Sequence, residues 1–251
     1  MPTWLAAGLW GLLGGAALLL GAAVAWAVRV PQRVVAGVMA FGAGVLISAL
    51  AFDLVDEAGE SGGLLPAAGG FLVGALVYVA ANVVLARRGA RHRKRSSGQQ
   101  PSEGEQSGSG TAIALGALLD GVPESVVLGL GLVGGGAVSP AMLAAVFISN
   151  VPEGLSSSAG MKAGGRSARY VFGVWGGIAL ASGLSALVGY AALQGAPAEV
   201  VAFITTIAAG AILAMVADTM IPEAFERAHL STGLITALGF LTAYTVHQLG
   251  G

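Results

Sequence analysis

Residues 111–125 read TAIALGALLDGVPES, and residues 140–154 read PAMLAAVFISNVPEG. Each stretch belongs to an apolar run long enough to cross a bilayer, for which about 20 residues suffice. Each also carries a Val-Pro-Glu motif within that run. Asp120 and Glu124 lie about ten and fourteen residues into the first run, and Ser149 and Glu153 lie equally deep in the second. Acidic side chains at mid-membrane depth are expensive, at least ~2.5–3.5 kcal/mol each on insertion scales. Such residues need protonation, water or a bound cation.

The rest of the chain fits a membrane setting. It has 251 residues, of which 55% are hydrophobic and only 10% charged. Its mean hydropathy is +0.81. Soluble domains carry about 25% charged residues, so most of this chain avoids water. The 41 glycines suit membrane helices that approach closely. The absence of cysteine excludes disulfides and thiolate metal sites. A net charge of -1 argues against a nucleic-acid partner.

Eight spans are expected, at roughly 4–28, 34–56, 64–86, 111–133, 140–161, 169–193, 198–222 and 232–250. The predicted fold is all-α and polytopic, a single transmembrane domain over 1–251. The first run is too long for a signal-peptide core and lacks a preceding positive charge. Residues 87–110 form the one long connection, basic first and then rich in Ser, Gly and Gln, and are expected to be disordered.

The 12 basic residues are Arg29, Arg33, Arg87, Arg88, Arg91, Arg93, Lys94, Arg95, Lys162, Arg166, Arg169 and Arg227. With eight spans all of them fall on one side, which the positive-inside rule makes cytoplasmic. Both termini are then external, and the chain is expected in the plasma or inner membrane. Residues 44–60 (GVLISALAFDLVDEAGE) and 210–226 (GAILAMVADTMIPEAFE) share Gly44/Gly210, Ala51/Ala217, Glu57/Glu223, Ala58/Ala224 and Glu60/Glu226 in one register. DGVPES at 120–125 matches SNVPEG at 149–154. Both matches join spans of opposite direction, the pattern of an inverted repeat in a 3+2+3 arrangement with its site near the midplane.

Residues four apart share a helix face, so Asp120 stacks on Glu124 and Ser149 on Glu153, with Asn150 beside them. Ser125 adds a further oxygen. Pro123 and Pro152 each free the carbonyl four residues back, Leu119 and Ile148. A lone Glu beside a proline is often a protonated contact between helices. Two motifs at matched depth point instead to a shared site. No Lys, Arg or His is expected at that depth. Asp53, Asp56 and Glu57 end the second span, either to attract entering cations or simply as a solvated acidic helix end. Asp218, the deepest, and Glu223 and Glu226 lie toward the cytoplasmic end of the seventh. Met215 on that span is either pathway-lining or packing. His92 lies within RRGARHRKR, a run better suited to anionic lipid than to a metal. His229 and His247 stand near helix ends with no assigned chemistry.

The paired Pro-Glu motifs, the eight spans and the long third-to-fourth connection resemble the ZIP (Zrt-, Irt-like) family of divalent metal transporters. Ile221-Pro222-Glu223-Ala224 resembles the family's Pro-Glu-Ala ending. The resemblance implies a transporter moving a divalent cation into the cytoplasm by alternating access, without a required cofactor and without enzymatic activity. It also implies a homodimer. The expected metal ligands are Asp120, Glu124, Ser149, Asn150 and Glu153, with Asp53, Glu57, Asp218 and Glu223 along the pathway. Four positions depart from the family pattern. Asp120 and Ser149 stand where the family has His or Gln, Gly121 where it has Asn, and Ala186 where many relatives have a sixth-span Glu. One metal site is therefore expected rather than two. Zn²⁺, which accepts carboxylates, is the expected cargo, with Mn²⁺, Fe²⁺, Cd²⁺ and Co²⁺ as alternatives; the loss of imidazole leaves an all-oxygen site, which suits Mn²⁺, Mg²⁺ or Ca²⁺. The competing expectation is a metal-sensing or non-transporting membrane protein that has lost the usual His ligands.

Overall fold

The computed structural model describes residues 1–94, 100, 102, 104, 105 and 108–250. Among these the chain is helical, with no strand. We label the long helices α1 (Thr3–Ala27), α2 (Gln32–Gly62), α3 (Leu64–Leu85), α4 (Ser109–Leu130), α5 (Pro140–Ala163), α6 (Ala168–Leu193), α7 (Ala198–Ala228) and α8 (Ser231–Gly250).

Local sequence sets their ends. Pro31 and Pro197 precede α2 and α7, where an extended φ/ψ leads the chain into the first turn. Ser139 and Ser167 cap α5 and α6 by accepting from the backbone N–H of Met142 and Tyr170. Gly63 separates α2 from α3 with φ +89°, a conformation that a residue with a Cβ rarely adopts.

Among the described residues, six helices, α1–α4, α6 and α7, are long and apolar enough to cross a membrane. The other two, of 24 and 20 residues, pack into the same bundle. α5 is more polar because it carries Ser149, Asn150, Glu153, Ser156, Ser157 and Ser158, and all six are buried. The outer surface is the reverse. Leu72, Leu76 and Val77 of α3, Leu180, Leu184 and Val188 of α6, and Leu234, Leu238 and Leu241 of α8 are all exposed. Polar groups inside and aliphatic groups outside is the distribution that an apolar surrounding imposes. The protein is membrane-embedded.

Contacts fix the helix directions. α1 and α6 are antiparallel, with Gly8 against Gly183 and Leu187 and Trp26 edge-on to Phe172. α2 and α8 are parallel, pairing Gly37 with Ile235 and Phe52 with Tyr244. α3 and α7 are also parallel, pairing Gly70 with Phe203 and Gly74 with Ile207. α1 runs parallel to α5 and α4 runs parallel to α6. Lys162 Nζ donates to the Trp26 carbonyl at 3.0 Å, and Arg166 Nη2 to Ser109 Oγ at 2.8 Å, which places these cations at one end of the bundle. Asp53, Ser139 and His247 meet at the other.

Both α4 and α5 stay helical through Pro123 and Pro152. Departure from α geometry falls instead in α2 and α7, as π-helical stretches at Leu50–Asp56 and Val216–Met220. Leu50 and Val216 are equivalent positions in the register that aligns Gly44 with Gly210. α2 continues beyond the expected end at 56, to Gly62.

Glycine sets the interhelical distance. A Cβ on Gly74 would collide with the Ile207 carbonyl, whereas one on Gly176 meets nothing within 4 Å. Gly74→Val is therefore expected to destabilise the bundle by about 1–3 kcal/mol. Gly176→Val should leave thermal unfolding in detergent nearly unchanged, and equal midpoints for the two variants would refute this packing.

Candidate functional site

The acids of α4 and α5 are fully enclosed. Asp120 and Glu124 are 1% exposed and Glu153 is 3% exposed. The expectation that no cation reaches this depth is overturned. Arg93 and Lys94, 2% and 3% exposed, lie among these carboxylates. Their approach starts after α3. The chain turns at Gly89, with φ 102°, and buries Ala90 completely. Arg93 is thereby laid alongside Asn82 and Tyr78 of α3.

The contacts are dense. Arg93 Nε donates to Asp120 Oδ2 at 2.9 Å and Nη2 to Oδ1 at 2.8 Å, a bidentate pair. The Tyr78 hydroxyl also donates to Asp120 Oδ1, at 2.6 Å. Arg93 Nη1 donates to Asn82 Oδ1 at 2.8 Å. Lys94 Nζ donates to Glu153 Oε2 at 2.7 Å and lies 3.4 Å from Asp120 Oδ2, so one ammonium bridges acids of two helices. Gln100 Nε2 pins the segment by donating to the carbonyls of Arg93 (2.8 Å) and Ser157 (3.1 Å). The Ser156 hydroxyl lies between the Lys94 carbonyl and Glu223 Oε1. Of the connection expected to be disordered, Arg93, Lys94 and Gln100 are thus buried. Arg95 lies outside the described residues.

Glu124 differs from its neighbours. Among the described residues neither of its oxygens has a hydrogen-bond partner of normal geometry, although Glu153, Lys94, Asp120 and the Asn150 side chain are close enough to act on it. Asn150 Nδ2 donates to the Gly14 carbonyl of α1 at 3.0 Å, and Ser149 Oγ to the Val146 carbonyl at 3.0 Å. Ser125 Oγ likewise donates to the Gly121 carbonyl, at 2.7 Å. Of the five expected ligands, Asp120 and Glu153 are joined through Lys94, and Glu124 lies close by. Ser149 and Asn150 make backbone contacts. Among the described residues, no group of three or more His, Asp or Glu side chains is disposed to hold a metal ion. Lys94 occupies the space between two of the carboxylates.

The pathway candidates divide. Glu223 is buried and touches the site through Ser156. Asp218, expected to be the deepest, is exposed and meets Asn82 Nδ2 at 3.3 Å. Met215 is core packing. At the end away from the basic residues, Asp53 Oδ1 lies 2.9 Å from His247 Nδ1 and accepts from Ser139 Oγ at 3.2 Å. His247, given no role from the sequence, is thus a partner of Asp53. Asp53, Glu57 and Ser139 line a cavity of about 240 Å³ whose wall includes Val127, Leu128 and Met142. Val127 and Leu128 lie one turn beyond Glu124 and are buried in the core, so apolar side chains flank the acid on that side.

Tyr78, Asn82, Arg93, Lys94 and Gln100 escaped the sequence reading. The signal for the two cations was indirect. Deep acids require compensation, and the nearest basic run in the sequence immediately follows α3, in the connection that leads to α4. Compared with known proteins, the chain matches no family model and no curated relative.

Removing one member of a buried pair leaves the other uncompensated, at about 3–5 kcal/mol. Asp120→Ala should therefore lower the thermal midpoint far more than Tyr78→Phe, and Arg93→Ala combined with Asp120→Ala should recover part of the loss. Strict additivity of the two single variants would count against the pairing.

Proposed function

We propose that the chain is a divalent cation transporter that moves metal into the cytoplasm by alternating access, with Asp120, Glu124 and Glu153 as the coordinating carboxylates. The observation that carries this reading is the burial of three acids from two helices inside a membrane bundle, one of them without a hydrogen-bond partner of normal geometry among the described residues. Intramembrane acids that face a bundle interior rather than lipid mark ion pathways by default. Zn²⁺ is the first candidate and Mn²⁺ the next, because carboxylate oxygens suit both. The resemblance to the ZIP family supports the same reading.

We infer eight spans with external termini and an inverted repeat. Every pair of helix directions given above agrees with eight alternating crossings. The packing partners also interchange under the repeat: exchanging α1 with α6, α2 with α7, α3 with α8 and α4 with α5 maps α2–α8 onto α7–α3 and α1–α5 onto α6–α4. The matched π-helical stretches support it as well.

A second reading is a non-transporting or metal-sensing membrane protein. One observation favours it: Asp120 and Glu153 are already neutralised by Arg93 and Lys94.

Reconstituted in proteoliposomes, the protein should carry Zn²⁺ or Mn²⁺. Glu153→Gln and Glu124→Gln should reduce flux at least tenfold, and Glu60→Ala, at an exposed site, should leave it unchanged. Absence of flux for Zn²⁺, Cd²⁺, Mn²⁺, Fe²⁺ and Co²⁺ by folded protein would decide for the second reading.

A further inference from the structure

Arg93 and Lys94 enter the carboxylate site from a segment that is continuous with the basic end of α3. We propose that this segment is a tethered cationic plug that competes with the divalent metal for the site, and so holds the site closed toward the basic end until metal displaces it. The proposal rests on the transporter reading and adds its regulation.

Charge is the first support. Arg93 and Lys94 together carry the charge of one divalent ion and contact the same carboxylates, Asp120 and Glu153. Exchanging the pair for a metal therefore leaves the local net charge unchanged. In a medium of low dielectric, any exchange that altered it would be costly.

Geometry is the second support. Lys94 Nζ occupies the bridging position between acids of α4 and α5, where a metal ligated by both would have to lie. The two cannot be there together.

The helix surface is the third. A Cβ on Gly116 would stand 2.5 Å from Arg93 Cδ and 3.5 Å from Ala90 Cβ, so α4 presents a bare stripe where the plug crosses it. Arg166 and Tyr170 lie against Gly110 at the end of the same helix.

The plug is anchored by polar contacts: the three ion pairs, Asn82, Tyr78, Gln100 and the Ser156 hydroxyl. Its apolar contribution is Ala90 and the buried stems of Arg93 and Lys94. Its hold thus depends on the carboxylates being free to receive it. A tethered group acts at an effective concentration in the millimolar range, so free metal must bind tightly to displace it.

The test uses the full-length protein in detergent micelles. The native chain has no cysteine, so Ala90→Cys supplies a single thiol on the plug at a fully buried position. Mn²⁺ is the probe, since it binds carboxylates in preference to thiols. The expected result is slow reaction with a polar maleimide, accelerated at least tenfold by saturating Mn²⁺ or by adding Lys94→Ala. Lys94→Ala should also raise Mn²⁺ affinity at least tenfold in a binding titration. Should Lys94→Ala unfold the protein, Gly116→Val provides the second variant, displacing Arg93 sterically with every charge retained; it too should speed labelling and tighten Mn²⁺ binding. Mn²⁺ binding without faster labelling, or with affinity unchanged in both variants, overturns the plug. Failure of Mn²⁺ and Zn²⁺ to bind the wild type and every variant overturns the metal-site reading beneath it, and with it the competition.

Discussion

Asp120 is the residue around which the interior is organised. A carboxylate 1% exposed in the middle of a membrane bundle has lost nearly all its hydration. It keeps a stable environment only if charge and hydrogen bonds replace that water. Here the replacement is complete, with a bidentate guanidinium, a phenol hydroxyl and a nearby ammonium. Each partner in turn constrains an element. Tyr78 and Asn82 fix the rotation of α3, and Arg93 forces the chain to double back at Gly89. Lys94 ties α4 to α5 through Glu153. Gly89, Ala90, Arg93 and Lys94 of the α3–α4 connection are therefore internal parts of the bundle, while Arg87, Arg88 and Arg91 stay exposed.

Lipid contributes little drive for helix association, since tails and aliphatic side chains are alike in polarity. Close backbone approach takes over that role. Gly74 against Ile207 and Gly129 against Ala186 bring carbonyls where side chains would otherwise be. The polar α5 then becomes tolerable at the centre. Its serines, Asn150 and Glu153 are all shielded from lipid by α1, α2 and α6, and Asn150 satisfies the Gly14 carbonyl of α1 as it packs.

The helical class, the long helices and their order were legible in the sequence, because a bilayer demands apolar runs of fixed length and the basic residues mark one side. Asp120, Glu124 and Glu153 were legible by depth alone. Depth also suggested that they lacked a cation, and that was wrong for a definite reason. Arg93 and Lys94 lie outside every apolar run, and nothing local to RRGARHRKR shows that the chain turns back into the bundle. Tyr78 read as one more apolar position of α3. His247 read as a helix-end residue because its partner, Asp53, is nearly two hundred positions away. Prolines in α4 and α5 suggested breaks that α2 and α7 carry instead. A π-helical stretch follows from tertiary packing, and no single residue type announces it.

The two cations differ in kind, which gives the interior a direction. A guanidinium is a planar fork, and Arg93 uses that fork fully on both oxygens of Asp120. An ammonium is a compact point charge without such directionality, and Lys94 bridges two carboxylates much as a small metal ion would. In the proposed exchange the ion takes the position of Lys94 first, where replacement requires no change of shape. Arg93 is freed only when Asp120 turns to the ion as well. A site that can be neutralised by its own chain is soluble in the membrane without metal, and this resolves the difficulty with which buried acids begin. On the proposed reading the same self-neutralisation would make binding a competition, with the affinity for a cation set as much by the segment after α3 as by the carboxylates themselves.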